Sequence, residues 1–293
     1  MTNIAFIGLG HMGHPMVQHL LKAGFKVHVF DVLAAAMQSL VTEGAIAAHS
    51  VKEAVQDADM VITMLQTGQQ VREVCLEPNG FFAHVKQNVF YIDSSSIEIT
   101  TTRELHKIAE KRGIAMVDAP VSGGVAGAEA ATLTFMVGGT EENFNRGKPF
   151  FTKMGKKIVH AGAAGSGQAA KICNNLILGI SMIAVSEAFQ LGQKLGLDPK
   201  KFFDISSNAS GQCWSMTSYC PVPGLVDKAP ANNEFKPGFM AKMMLKDLRL
   251  AQHAAESVNA VMPLGAEATE LYNLFVNQGN GEVDFSGIIK MLF

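Results

Sequence analysis

Residues 3–13 read NIAFIGLGHMG: a short apolar run that ends in glycines, directly ahead of helical spacing in HPMVQHLLKAG. The run has the character of a parallel strand buried on both faces. Gly8, Gly10 and Gly13 then stand in the GxGxxG arrangement. The first glycine allows a tight turn, the second lets a pyrophosphate approach the backbone, and the third lets helix and strand pack closely. The helix N-terminus offers amide donors and partial positive charge to phosphate. Asp31 closes the next apolar run, KVHVFD, at about the 20-residue distance that a dinucleotide site requires. Its carboxylate can take two ribose hydroxyls and would repel a 2′-phosphate. No arginine follows it in DVLAAA, so NAD is expected over NADP.

Beyond this stretch, strands are expected at MVITML, VFYIDSS, IAMVDAPVS and TLTFMVGG. Helical segments such as AAAMQSLVTEGA and TTRELHKIAEKRG lie between most of the strands. Alternating strand and helix implies a mostly parallel sheet covered on both faces. After KKIVHAG the pattern becomes helical throughout. A long helix is expected from Gly165 or Ser166 to about Leu195. GLDP follows it, with Gly196 as stop, Asp198 as N-cap and Pro199 as first residue of the next helix. A proline-rich loop, YCPVPGLVDKAPANN, precedes a last set of helices from about Gly238. The expected organisation is a Rossmann-type α/β domain over residues 1–163 and an all-α domain for substrate and oligomerisation over 164–293.

Bulk composition narrows the function. The chain has 293 residues, 48% of them hydrophobic and 17% charged, which excludes a disordered chain. A net charge of −2 without a basic run gives no reason to expect nucleic acid. Four cysteines without CxxC spacing point to free thiols in a reducing compartment. Sixteen methionines suit adaptable packing. The longest apolar run, residues 176–185, is shorter than the ~20 residues of a membrane span, and the first strand leaves no room for a targeting segment. A cytoplasmic protein without membrane partners is the expectation.

Two further stretches carry chemistry. DAPVSGG places Ser122, Gly123 and Gly124 in a turn of small residues after a strand, either an anion site of open amides or a simple flexible loop. GQAAKICNN places Lys171 and Asn175 four apart, on one face of the long helix. Beside a nicotinamide, such a lysine can exchange a proton with an alcohol while hydride leaves the carbon. Burial would favour its neutral, basic form, and the asparagine can orient the same hydroxyl. The bland alternative is a snorkelling lysine on a wet helix face.

FIGLGHMGHPM, DAPVSGG, GQAAKICNN and KDLRLA occur in this order, and together the chain resembles the β-hydroxyacid dehydrogenases over essentially its whole length. TFMVGG, SGQCWS, YCPVPG and DFSGIIKMLF sharpen the likeness to the members acting on a branched three-carbon hydroxyacid. The resemblance implies that Lys171 is the catalytic lysine and Asn175 its substrate-contacting partner, with Ser122, Gly123 and Gly124 holding the substrate carboxylate. It places Lys246 at the cofactor, with Asp247 as its structural companion. Leu65, Gln66 and Ser96 line the nicotinamide half, and His11 and Met12 belong to the cofactor loop without acid–base work. Trp214 either shapes the substrate pocket or sits in the core.

Gln66 replaces a usual proline, which would loosen its loop, while Val17 and His19 read as packing changes. The implied reaction is NAD-linked oxidation of (S)-3-hydroxyisobutyrate to methylmalonate semialdehyde in valine breakdown. It needs no metal, and a homodimer or homotetramer is expected. Reduction of tartronate semialdehyde is the rival enzymatic reading, and a catalytically dead dinucleotide-binding scaffold the non-enzymatic one.

Overall fold

The computed structural model describes residues 2–292. They fall into two compact units, Met1–Lys171 and Ile172–Phe293. The division lies inside the long helix instead of ahead of it, because the first turns of that helix are tied to the sheet of the first unit.

In the first unit, β1 (Asn3–Ile7), β2 (Lys26–Phe30), β3 (Ile46–Ala47), β4 (Met60–Thr63), β5 (Phe90–Asp93) and β6 (Ala115–Asp118) pair in parallel, in the order β3-β2-β1-β4-β5-β6. Their helices are α1 (Gly13–Lys22), α2 (Ala35–Thr42), α3 (Val51–Val55), α4 (Gly68–Leu76) and α5 (Ile99–Lys111). The two-residue period of the strands explains the continuous apolar runs. Ile4 and Phe6 face a core with Met16, Val17 and Leu20 of α1, whereas Ala5 and Ile7 face another with Val71 and Leu105. Each such large apolar side chain contributes about 1.5–3 kcal/mol when fully buried. The strand order reverses between β1 and β4, and ligands of such sheets bind at the carboxyl ends beside that reversal.

IAMVDAPVS is not one strand. It breaks into β6 and β7 (Val121–Ser122), since Pro120 lacks the N–H a ladder needs. Past this break the pairing changes direction. β8 (Leu133–Gly138) runs antiparallel to β6 and β7 and parallel to β9 (Gly155–Gly162). Short α6 (Gly124–Glu129) and longer α7 (Glu141–Met154) connect these strands.

The long helix, α8 (Ser166–Lys194), begins at the second of the two residues expected to start it. By length and composition it is apolar enough to cross a membrane, with 44% of its most apolar stretch buried. This corrects the expectation from residues 176–185 alone: isolated polar residues interrupt the run without lowering the average enough. The second unit contains the rest of α8, then α9 (Pro199–Ser206), α10 (Trp214–Thr217), α11 (Ala241–Ser257) and α12 (Pro263–Phe275). Gly196 takes φ +78°, and the Asp198 side chain accepts from Lys201 N, so GLDP stops and restarts the helix as its residues dictate. Met182, Met244, Leu248, Tyr272, Phe275 and Phe285 form the core of this unit. A Cβ on Gly179 would stand 3.0 Å from Leu248 and one on Gly265 2.7 Å from Leu176, so these glycines let the helices approach.

Candidate functional site

The glycine loop is built for backbone proximity. Gly8 has φ +97°, and a Cβ there would lie 2.4 Å from the Met64 carbonyl. A Cβ on Gly13 would fall 2.0 Å from the Gly8 carbonyl, so α1 can meet β1 only through glycine. At Gly10 a Cβ would meet nothing, which leaves the approach to the loop open. Helices α3, α4, α7 and α9 are capped by Ser50, Thr67, Thr140 and Asp198. Helix α1, like α2, α5 and α11, has neither a side-chain cap nor an acid in its first turn. An uncapped N-terminus over an open glycine turn fits a dinucleotide's phosphates.

Asp31 stands half-buried just past β2. Its Oδ2 accepts from Leu9 N at 2.7 Å and its Oδ1 from Leu33 N at 2.8 Å. Each oxygen keeps a second lone pair for a ribose hydroxyl. The aspartate therefore also ties the glycine loop to the end of β2. His11 is exposed and Met12 half-buried at the loop's tip. His19 is more than a packing change, because its Nε2 lies 3.0 Å from the carbonyls of both Ala128 and Glu129. It fastens α1 to α6.

At the end of β4, Leu65 N donates to Ser95 Oγ at 2.9 Å. Gln66 is exposed, and its N–H, which proline would lack, donates to Gln70 Oε1 at 3.1 Å. The substitution thus adds a tie to α4 where a looser loop was expected. Within DSSS, Ser94 and Ser95 are fully buried and Ser96 is half-buried. In the second glycine pair, Gly123 has φ +140° and Gly124 φ +61°, backbone that disfavours any side chain. Half-buried Ser122 immediately precedes them.

Lys171 is 9% exposed on α8. The turn before it is held by groups that sequence reasoning missed. Asp118, fully buried at the end of β6, accepts from Gly165 N at 2.8 Å, Gln168 N at 3.0 Å and His106 Nε2 at 3.0 Å. It serves α8 as an N-cap supplied from another element, with a carboxylate at the positive end of the helix dipole. A strand ending in a buried acid is a weak signal that such a partner exists.

In the second unit, Asn175 is 1% exposed. Its Nδ2 donates to Asp247 Oδ2 at 2.5 Å and its Oδ1 accepts from Asn174 at 3.0 Å. Asp247, itself buried, lies 3.4 Å from Lys246 Nζ. Asp247 thereby sets the orientation of the Asn175 amide as well as accompanying the lysine. Trp214 is 50% exposed and stacks on Tyr219 at 4.8 Å, so it is not a core tryptophan. Burial pushes the Tyr219 hydroxyl far above its ordinary value, helped by Asp284, which accepts its hydrogen bond at 2.9 Å. Among the described residues no cluster of His, Cys, Asp and Glu is placed to hold a metal ion.

Comparison with known proteins gives the family. Residues 3–162 match the family described as the NAD binding domain of 6-phosphogluconate dehydrogenase. Residues 165–292 match that described as NAD-binding of NADP-dependent 3-hydroxyisobutyrate dehydrogenase. A Pseudomonas aeruginosa protein named NAD-dependent L-serine dehydrogenase is 47% identical, over 99% of this chain and 98% of its own. A probable 3-hydroxyisobutyrate dehydrogenase of Mycobacterium tuberculosis is also 47% identical, over 100% of this chain and 98% of its own. A solved structure described as Mycobacterium tuberculosis 3-hydroxyisobutyrate dehydrogenase with L-serine superposes with a TM-score of 0.95, at 47% identity. It covers 100% of this chain and 99% of that one. With an uncapped glycine loop, an acid after β2 and relatives along its full length, this chain belongs to the 3-hydroxyisobutyrate dehydrogenase family of NAD-dependent oxidoreductases acting on CH–OH groups.

Proposed function

We propose that the chain oxidises the primary alcohol of (S)-3-hydroxyisobutyrate to methylmalonate semialdehyde, as a step of valine breakdown in the cytoplasm. The observation that carries this reading is Lys171, a nearly buried amine on a helix start clamped to the sheet of the cofactor domain. Ser122, Gly123 and Gly124 hold the substrate carboxylate through hydroxyl and open amides, which decides which carbon is presented. Lys171 takes the hydroxyl proton, and in the reverse direction returns it to the aldehyde oxygen. Asn175, oriented by Asp247, steadies the same hydroxyl, and Lys246 lies toward the cofactor. Gly8, Gly10, Gly13, His11, Met12 and Asp31 hold the dinucleotide, with Leu65, Gln66 and Ser96 along its nicotinamide half. NAD, when bound there, supplies the ring that accepts the hydride.

L-serine is the second reading. The P. aeruginosa relative named for it and the mycobacterial structure holding it favour this choice. The two molecules share a primary alcohol and a carboxylate and differ only in methyl against ammonium on the carbon between. An apolar contact at that substituent would suit the methyl and a hydrogen-bond acceptor the ammonium, because an unpaired buried ammonium is costly. For assembly we propose a homodimer or homotetramer, supported by Ile177 and Leu191 on α8 and Leu195 just past its end, which are 67%, 57% and 76% exposed.

The test measures NADH formation from (S)-3-hydroxyisobutyrate and from L-serine, with NADH-driven reduction of tartronate semialdehyde alongside. A higher kcat/KM for (S)-3-hydroxyisobutyrate is expected. Preference for either other substrate overturns the substrate assignment and leaves the relay standing. Lys171→Ala is expected to lower kcat by roughly 10²–10⁴. A variant that kept its activity would leave Lys171 without a role in the proton relay.

A further inference from the structure

The half-buried Ser96 stands between two backbone groups that one side chain grips. Gln168, fully buried on the first turn of α8, donates from Nε2 to the Ser95 carbonyl at 2.7 Å. Its Oε1 accepts from Ile97 N at 3.2 Å. Only one orientation of the amide satisfies both, since the carbonyl needs a donor and the N–H an acceptor. The other side of the turn is held too: Ser95 N donates to Asp93 Oδ1 at 3.1 Å, and Leu65 N to Ser95 Oγ at 2.9 Å. The backbone of Gln168 is equally fixed, because its N–H donates to Asp118 Oδ2. Neighbouring Gly167 packs so closely that a Cβ there would lie 2.4 Å from the Met136 carbonyl. Three residues further along the same helix stands Lys171, on the adjoining turn.

We propose that Gln168 is a positioning residue for this oxidoreductase, locking the helix that carries Lys171 to the turn that presents Ser96. The inference rests on Lys171 as proton relay and Ser96 as a lining residue of the nicotinamide half. Hydride and proton leave the same alcohol carbon and oxygen, so both receiving groups must be held in register at once. One amide that bonds the Ser96 turn from a helix turn below Lys171 supplies that register without touching substrate.

The experiment compares wild type with Gln168→Met, which keeps the length of the side chain and loses both hydrogen bonds. Tyr272→Phe, which removes a buried hydrogen bond from the second unit, is the stability control. Gln168→Met is expected to lower kcat by roughly 100-fold, the effect of a displacement near 1 Å at a reacting pair, with a much smaller change in KM. Its primary deuterium isotope effect on the carbinol hydrogen is expected to rise as hydride transfer becomes limiting. In the protein without cofactor, amide exchange is expected to quicken at residues 94–98 and 165–168 together. Should Gln168→Met fail to fold, Gln168→Asn, with the same amide one methylene shorter, gives the same readings.

Activity lost only in proportion to folded protein, with an unchanged isotope effect, overturns the proposal. So does faster exchange at one segment without the other. The reading beneath it fails separately: an active Lys171→Ala enzyme removes the relay, whereas the paired exchange change still reports whether Gln168 locks helix to turn.

Discussion

Asp93 and Asp118 end neighbouring parallel strands and face each other in register, and both are fully buried. Their surroundings make opposite use of the same side chain. Asp118 receives three donors, two of them backbone amides at the start of α8, and so anchors the helix of the candidate relay. Asp93 receives Thr63 Oγ1 at 2.8 Å and Ser95 N on a single oxygen. Its Oδ2 has no hydrogen-bond partner among the described residues. Burial pushes the Asp93 carboxyl up to about 6, with the Ser95 and Thr63 hydrogen bonds pulling the other way. A carboxylate at a strand end is therefore an anchor where a helix N-terminus meets it, and a costly buried acid where its donors reach one oxygen and leave the other bare.

Asp118→Asn tests the anchor and has the largest expected effect on stability. Whichever way the new amide turns, its NH₂ faces one of the donors that now converge on the carboxylate. A loss of about 3 kcal/mol in urea unfolding is expected, with a fall in kcat as α8 loosens. A change below 1 kcal/mol, small beside a charge-assisted bond, would make the two aspartates equivalent and break the contrast.

Asp93→Asn sharpens it from the other side. A folded-state value of about 6 lies above the ordinary 3.8, so the native state binds the proton more readily than the unfolded chain. The stabilisation from this proton is complete below the unfolded value and is lost as pH rises through about 6. The shift corresponds to at most about 3 kcal/mol. Relative to Asp93→Asn, the wild type is expected to be weakest above pH ~7 and to gain as pH falls toward ~4. Urea midpoints of both proteins across that range check it; a difference that does not vary with pH would refute it.

Tyr91→Phe gives the smallest effect. The hydroxyl lies 2.9 Å from Thr63 Oγ1 and 3.4 Å from Cys75 Sγ, and burial holds it far above its ordinary value. Its removal leaves Thr63 free to serve Asp93 alone, so a cost of only about 1 kcal/mol is expected, read by the same unfolding experiment. A cost well above that would show that the acid depends on the whole chain of hydroxyls.

Local motifs were legible because their physics is local. The glycine loop, Asp31, the start of α8 and the GLDP restart each depend on φ, capping or close approach within a few residues, and the structure forms each of them. The split of IAMVDAPVS was within reach as well, since Pro120 marks it. The groups that orient the candidate site were not. Asp118 reaches Gln168 across 50 residues and Asp247 reaches Asn175 across 72. No periodicity or composition registers such a pairing. The long apolar helix shows the same limit, because a span for a membrane and a span for a core have the same composition.

The sequence by itself determined the alternating strands and helices, the glycine turn, the acid that favours NAD and the placement of Lys171 on a helix. These follow from residue type and short-range spacing. Only the tertiary structure decided which acid anchors that helix, which acid lies unsatisfied, and which glutamine grips the Ser96 turn. Those outcomes depend on which donors converge on a buried oxygen once distant strands and helices have packed.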